Sequence, residues 1–193
     1  MIADFLRKRI SRHFTGQNEI LFKNKIPEAS LIEENFGLHD ELGLYLHIPF
    51  CHQICPYCPY NKEIFREEAC EKYVKAVIRE IDLYAPLVGN TPITSFYIGG
   101  GTPTTMLRRG IEEMIDHIYG RFNMQCRAHM ESHPNHLTDE NLHSIEAMGV
   151  KYLSIGVEAL QNRHLRAIKR PYTVEEVKKV VRRVVEKDFE CVM

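Results

Sequence analysis

Tyr45-Leu46-His47-Ile48-Pro49-Phe50-Cys51-His52-Gln53-Ile54-Cys55-Pro56-Tyr57-Cys58 runs from a strand-like alternation straight into a cluster of cysteines. Leu44 to Ile48 reads as a short β-strand that Pro49 ends. Behind it, Cys51, Cys55 and Cys58 stand at C-x3-C-x2-C spacing. Three thiolates so close together read as a metal or cofactor site rather than a disulfide framework. A structural zinc site needs a fourth ligand, for which His47 or His52 is at hand. A [4Fe–4S] cluster normally takes four cysteines, so with three it keeps one iron free to bind another molecule. Spacing alone leaves both open. Cys70, Cys126 and Cys191 lie far apart in regular segments and read as small buried apolar residues.

The rest of the chain narrows the classes. Its 193 residues are 44% hydrophobic and 26% charged, with a net charge of -1. That length and composition suit one sizeable globular domain with its own core. The balanced charge provides no basic field for nucleic acid or anionic membrane. No apolar run approaches the ~20 residues a membrane helix needs. Met1 to Phe14 carries Arg7, Lys8, Arg9 and Arg12 without a continuous apolar stretch, so it reads as an amphipathic surface helix with Phe5, Leu6 and Ile10 facing inward. Without a secretory signal, the cysteine cluster points to a reducing compartment, the cytoplasm.

From Gly43 onward, strands and helices alternate. Glu67 to Leu83 has helical spacing at Tyr73, Val74, Val77, Ile78 and Ile81, and Pro86, Gly89, Asn90 and Pro92 are expected to break it. Ile93 to Ile98 is a second strand, running directly into Gly99-Gly100-Gly101-Thr102-Pro103. A helix over Thr105–Tyr119 and a strand over Gln125–Glu131 follow. Thr138 caps a helix that Gly149 closes. Val150–Val157 is the fourth strand, Gln161–Ile168 and Thr173–Lys187 are helices, and Phe189–Met193 opens a fifth strand.

Such alternation implies an α/β fold: a partial parallel (β/α) barrel of about four βα units plus the start of a fifth strand. The expected division is an N-terminal helix and irregular arm over 1–42 and an incomplete core over 43–193. A closed eight-stranded barrel needs about 200 residues or more, so the chain is expected to be a piece of a longer protein. In such folds ligand chemistry gathers at the C-terminal ends of the strands. The cysteines, the glycine run, Glu131 and Glu158 all fall there. Each also has a plainer reading. The glycines suit a tight turn, Glu131 an exposed strand-end carboxylate and Arg170 a solvated helix-end charge. Tyr45 suits a half-buried strand position, and His129, His133 and His136 read as ordinary polar residues.

The cysteine spacing on the loop after the first strand resembles the radical S-adenosylmethionine (SAM) superfamily. Tyr45-Leu-His-Ile-Pro-Phe-Cys is similar to one branch of it, the oxygen-independent coproporphyrinogen III oxidase family with its heme chaperone relatives. The resemblance spans Leu44 to Arg170. It implies a [4Fe–4S] cluster on Cys51, Cys55 and Cys58, with SAM chelated to the open iron. It assigns Gly100, Gly101 and Thr102 to the methionine part of SAM. Glu131 and Glu158 reach the cofactor, Arg170 pairs with its carboxylate, and Tyr45 and Tyr57 flank it. A second SAM in that family would meet Tyr57, Gly101, Thr102, Glu158 and Arg170. The chemistry implied is reductive cleavage of SAM to a 5′-deoxyadenosyl radical, with an electron donor such as flavodoxin or ferredoxin. The radical then takes a hydrogen atom from a porphyrinogen propionate, which loses CO2 to become a vinyl group.

Four features depart from the pattern. The oxidases place a further cysteine where this chain has Tyr60. Glu158 stands where glutamine is common. The arm over Met1–Asp40 does not match the oxidase's, and the chain ends at Met193, before the family's acidic residue on strand five. The resemblance therefore also accommodates a heme-binding chaperone or a cluster-binding fragment without turnover. It assigns no catalytic residue.

Overall fold

Strands and helices alternate through the computed structural model, which describes Phe36 and residues 39–192. The helix expected at Met1–Phe14 and most of the arm lie outside the described residues. In chain order come β1 (Leu42–Ile48), two-residue β2 (Phe50–Cys51) and β3 (Glu63–Ile64), and α1 (Glu67–Val88). Then follow β4 (Pro92–Gly100), α2 (Ile111–Arg121), β5 (Asn123–Met124) and β6 (Ala128–Ser132). The remainder is α3 (Asp139–Ala147), β7 (Val150–Ile155), α4 (Asn162–Ala167), α5 (Val174–Glu186) and β8 (Glu190–Val192).

The main sheet is parallel throughout, in the order β1-β4-β6-β7-β8, with β5 attached beside the start of β4. Each step in that order is a crossover through one helix, except β7 to β8, which passes through α4 and α5. Alternation along the strands sends Leu46, Ile48, Phe96, Ile98, Met130, Leu153 and Ile155 to one face, where all are buried. The helices cover that face with residues recurring at helical spacing, including Ile111, Met114, Ile115, Leu142, Ile145, Val177 and Val184. Because register fixes which face each side chain takes, the opposite face receives Tyr45, Tyr97, His129, Glu131 and Ser154.

Several boundaries differ from the sequence reading. Helix α1 runs through Pro86 to Val88 and stops at Gly89, whose N–H reaches the Ala85 carbonyl at 3.0 Å. Pro86 falls in the last turn, where its missing donor removes one rung near an end that frays anyway. The expected helix over Thr105–Tyr119 is split. Pro103–Met106 forms a 3-10 turn, Arg108 (φ 59) and Gly110 (φ 97) turn the chain left-handed, and α2 starts at Ile111. The third strand begins at Ala128 rather than Gln125, and the fourth ends at Ile155 rather than Val157. Cys70 is buried as expected, whereas Cys126 is only half-buried.

Candidate functional site

The loops after β1, β4, β6 and β7 open onto one cleft of about 680 Å³ at the C-terminal edge of the sheet. β1 and β4 reach that edge in register, Ile48 beside Gly100, and β6 and β7 do so with Ser132 beside Ile155. The three thiols line the cleft. Gly100, Gly101, Thr102 and Glu131 form one wall, and Tyr57, Glu158 and Arg170 another. Tyr45 is not among the lining residues. It lies mid-strand rather than at the edge, is 55% exposed, and stacks on Tyr97 with ring centroids 6.0 Å apart.

The cysteine loop is held at both ends by a pairing that the sequence did not announce. β2 and β3 form a two-residue parallel ladder, with the Glu63 N–H on the Pro49 carbonyl (2.7 Å) and the Phe65 N–H on the Cys51 carbonyl (2.9 Å). Lys62 ties the interior, donating to the carbonyls of Cys58 (2.7 Å) and Tyr60 (2.9 Å). Cys51 is buried and its Sγ lies 3.4 Å from the Thr102 hydroxyl. Burial pushes the Cys51 thiol up despite that contact. All three cysteines are free of disulfides.

Gly100 (φ 119) and Gly101 are small because the chain itself is close. A methyl at 100 would stand 2.7 Å from the His47 ring, and one at 101 would stand 2.8 Å from the Phe50 carbonyl oxygen. The glycines thus let β4 seat the cysteine turn through Gly101 N–H to Ile48 O (2.6 Å) and Thr102 N–H to Phe50 O (2.9 Å). That packing accounts for them whether or not a ligand is bound.

Arg170 enters the cleft from the end of α4. Its N–H bonds the Leu165 carbonyl (2.8 Å) and the Lys169 N–H bonds that of Arg166 (3.1 Å), a Schellman cap with Lys169 left-handed at φ 59. Its guanidinium pairs with Glu158 and lies between the rings of Tyr57 (5.8 Å) and Tyr172 (5.9 Å). Burial opposes the guanidinium charge, but Tyr172, Glu158, Tyr57 and Cys55 outweigh it and hold its pKa above the ordinary value. Arg170 Nε is buried without a hydrogen-bond partner. Glu158 is itself left-handed at φ 67. Tyr172, which braces this guanidinium from below, carried no sequence signal beyond its nearness to Arg170; its hydroxyl donates to the Gly156 carbonyl at 2.7 Å.

Histidines fill the remaining wall. His47, a candidate fourth metal ligand, has both ring nitrogens engaged, Nδ1 with the Tyr45 hydroxyl (3.1 Å) and Nε2 with the Asn61 carbonyl (3.2 Å). His52 packs on Phe65 and His136. His133 and His136 line the cleft from the turn after β6, while His129 lies in the sheet and bonds the Ser154 hydroxyl at 2.8 Å. Among the described residues, no three His, Cys, Asp or Glu side chains close around a single ion. A closed zinc site requires such closure. Thiolates that each hold a different iron of one cluster do not. The donor set of three disulfide-free thiols on one clamped loop, beside the Arg170 guanidinium, suits a cluster with an anionic co-ligand.

The profile of the radical SAM superfamily matches residues 45–193. The heme chaperone HemW of Bacillus subtilis is 30% identical over 149 residues, covering 76% of this chain and 39% of its own length. The oxygen-independent coproporphyrinogen III oxidase of Escherichia coli is 31% identical over 132 residues, 67% of this chain and 29% of the relative. The solved Escherichia coli coproporphyrinogen III oxidase HemN, described as a radical SAM enzyme, superposes with a TM-score of 0.80 at 26% identity. It covers 90% of this chain and 41% of that structure. The chain therefore spans about two fifths or less of these relatives' lengths. Among the described residues no helix is long and apolar enough to cross a membrane. A profile match running from Tyr45 to the last residue, on a parallel sheet that superposes on HemN, means that the chain belongs to the radical SAM superfamily, in the branch of HemN and HemW.

Proposed function

We propose that the cleft holds a [4Fe–4S] cluster on the thiolates of Cys51, Cys55 and Cys58, with SAM at the iron that lacks a protein ligand. When bound, the cluster supplies one electron to the sulfonium, splitting it to methionine and a 5′-deoxyadenosyl radical that abstracts hydrogen. The observation that carries the reading is the convergence of the three cysteines, the Gly100–Thr102 turn, Glu131 and Arg170 on one cleft. Arg170 pairs with Glu158 in the protein alone, and a ligand carboxylate in the cleft would share that guanidinium. Tyr57 and Tyr172 flank the guanidinium and support its position from the protein side. Glu131 and Glu158 keep oxygen lone pairs for the amino and ribose hydroxyl groups of SAM. Thr102, at the Cys51 sulfur, supplies a hydrogen bond of the kind that tunes a cluster's potential. Tyr45 acts from outside the cleft wall, through His47 and Tyr97.

For the whole protein we read a tetrapyrrole-handling role with a flavodoxin- or ferredoxin-type reductant. Tyr60, in place of the oxidases' extra cysteine, favours the heme-chaperone kind; the decarboxylating oxidase is the second reading, supported by the HemN likeness.

Anaerobic reconstitution with iron and sulfide tests the cleft. The expected result is about four irons per chain, a reduced-cluster electron paramagnetic resonance signal that SAM alters, and 5′-deoxyadenosine on turnover. About one zinc per chain with no cluster sinks the reading. Titration with heme and with coproporphyrinogen then separates chaperone from oxidase.

A further inference from the structure

We infer that Tyr97 is a positioning residue: with the Gly100 N–H, its hydroxyl fixes the Glu131 carboxylate in the orientation that meets the ligand, and Gly99 is glycine so that this contact can cross β4. The inference rests on the cleft being a SAM site. Tyr97 OH donates to Glu131 Oε1 at 2.8 Å, and Gly100 N–H donates to Oε2 at 3.0 Å. Both carboxylate oxygens are thus pinned from the protein side, leaving their other lone pairs toward the cleft. Tyr97 and Gly99 are two residues apart and share a face of β4. A methyl at 99 would stand 2.8 Å from Tyr97 Cε1 and 3.1 Å from Glu131 Cδ, in the gap where ring and carboxylate meet.

The ring that carries this hydroxyl is itself held. Tyr45 stacks on one side, centroids 6.0 Å apart and planes 22° apart, and His129 packs on the other at 4.5 Å. These residues are register partners on β1, β4 and β6, so the sheet itself sets their spacing. His129 is fixed in turn by Ser154, 2.8 Å away. Burial, the hydrogen bond to Glu131 and that carboxylate's charge push the Tyr97 phenol up to about 12, so it remains a donor across the working pH range. Glu131 is the strand-end acid the sequence singles out; Tyr97 and Gly99 give it a fixed direction.

The test uses the reconstituted, unreduced protein, with SAM affinity measured by equilibrium dialysis. Tyr97→Phe is expected to raise the Kd for SAM about tenfold, the loss of one charge-assisted hydrogen bond, with iron content unchanged. Glu131→Gln is expected to weaken binding at least as much. In the double variant, Tyr97→Phe adds less than about twofold, because the group it orients has gone. Before SAM is added, the Gly100 amide should exchange hydrogen faster in Tyr97→Phe, since Glu131 is then held from one side only. Should Tyr97→Phe fail to fold, Gly99→Ala crowds the same contact with the hydroxyl retained and is expected to show the same losses. Wild-type SAM affinity in Tyr97→Phe, or effects that multiply in the double variant, overturns the positioning role alone. Cluster-loaded wild type that binds no SAM overturns the SAM reading of the cleft, and unchanged Gly100 exchange then overturns the Tyr97 role separately.

Discussion

Replacing Gly101 with alanine adds one methyl where the chain has no room for it. That methyl would stand 2.8 Å from the Phe50 carbonyl oxygen and 2.9 Å from the Pro49 carbonyl carbon and oxygen. All three are backbone atoms of the turn that carries Cys51, so no side-chain rotation relieves the contact. The two strand ends must part, which stretches Gly101 N–H to Ile48 O (2.6 Å) and Thr102 N–H to Phe50 O (2.9 Å). Overpacking costs about 1–3 kcal/mol and weakened hydrogen bonds add roughly 1 kcal/mol, for a loss of about 2–4 kcal/mol. In a chain of this size each kcal/mol moves the melting temperature by about 2–4 °C, so a fall of roughly 5–15 °C is expected. Gly120→Ala is the matched control. It lies in α2 with nothing within 4 Å of its added methyl, and is expected to gain about 0.5–1 kcal/mol from helix propensity. Circular dichroism melts of both variants in reductant provide the comparison. If Gly101→Ala melts within about 2 °C of wild type, or both alanines shift stability in the same direction, the steric reasoning is wrong.

Other tests address the site and its supports. Cys55→Ala is expected to abolish iron retention after reconstitution while Cys126→Ala keeps it, and equal loss in both would remove the ligand assignment. Burial, reinforced by neighbouring histidines and arginines, pushes His133 down to about 3 and His136 down to about 4. Both stay neutral in the fold while the unfolded chain takes up protons below its usual value near 6.5. Their contribution to stability is therefore intact above about pH 6.5 and is lost as the pH falls toward 4. Discounted for partial exposure, about 1–3 kcal/mol should vanish between pH 7 and 5 in urea unfolding. A His133→Asn, His136→Asn double variant should flatten that slope, and an unchanged slope would refute the assignment. Lys169→Gly relieves a left-handed lysine at the Schellman position and is expected to raise stability by about 0.5–1 kcal/mol. A lower melting temperature would show that the cap is not strained.

Much of this was legible in the sequence because it rests on periodicity. Strand alternation at Leu44–Ile48 and Ile93–Ile98, and helical spacing from Tyr73 to Ile81, are local signals, and the sheet order follows from them by right-handed crossover. The gathering of the cysteines, the glycine run, Glu131 and Glu158 into one cleft followed from their places after strands, and Arg170 joins them from the end of α4. What escaped depends on contacts between distant segments. The β2–β3 ladder is two residues long, too short for any period, and exists because Glu63 and Phe65 find the backbone of Pro49 and Cys51. Arg108 turns left-handed inside an otherwise helical pattern, with its N–H on the Glu112 carboxylate at 2.8 Å. Tyr97 carries no signal of its own in the sequence; its contact depends on Glu131 lying beside it on another strand. Tyr45, which the resemblance sets beside the cofactor, lies three positions short of its strand's end and stacks on Tyr97.

The ladder between β2 and β3 also bears on how a metal centre is assembled. It ties residues 52–62 into a closed ring through backbone hydrogen bonds alone. Closing a flexible loop of that length costs on the order of 2 kcal/mol, and here folding meets that cost rather than metal binding. A linear peptide with the same three cysteines would have to meet it at each loading. The folded chain should therefore capture and retain iron at concentrations roughly thirtyfold lower than the excised loop, so that preorganisation of the tether, as much as the thiols on it, sets when the centre is filled.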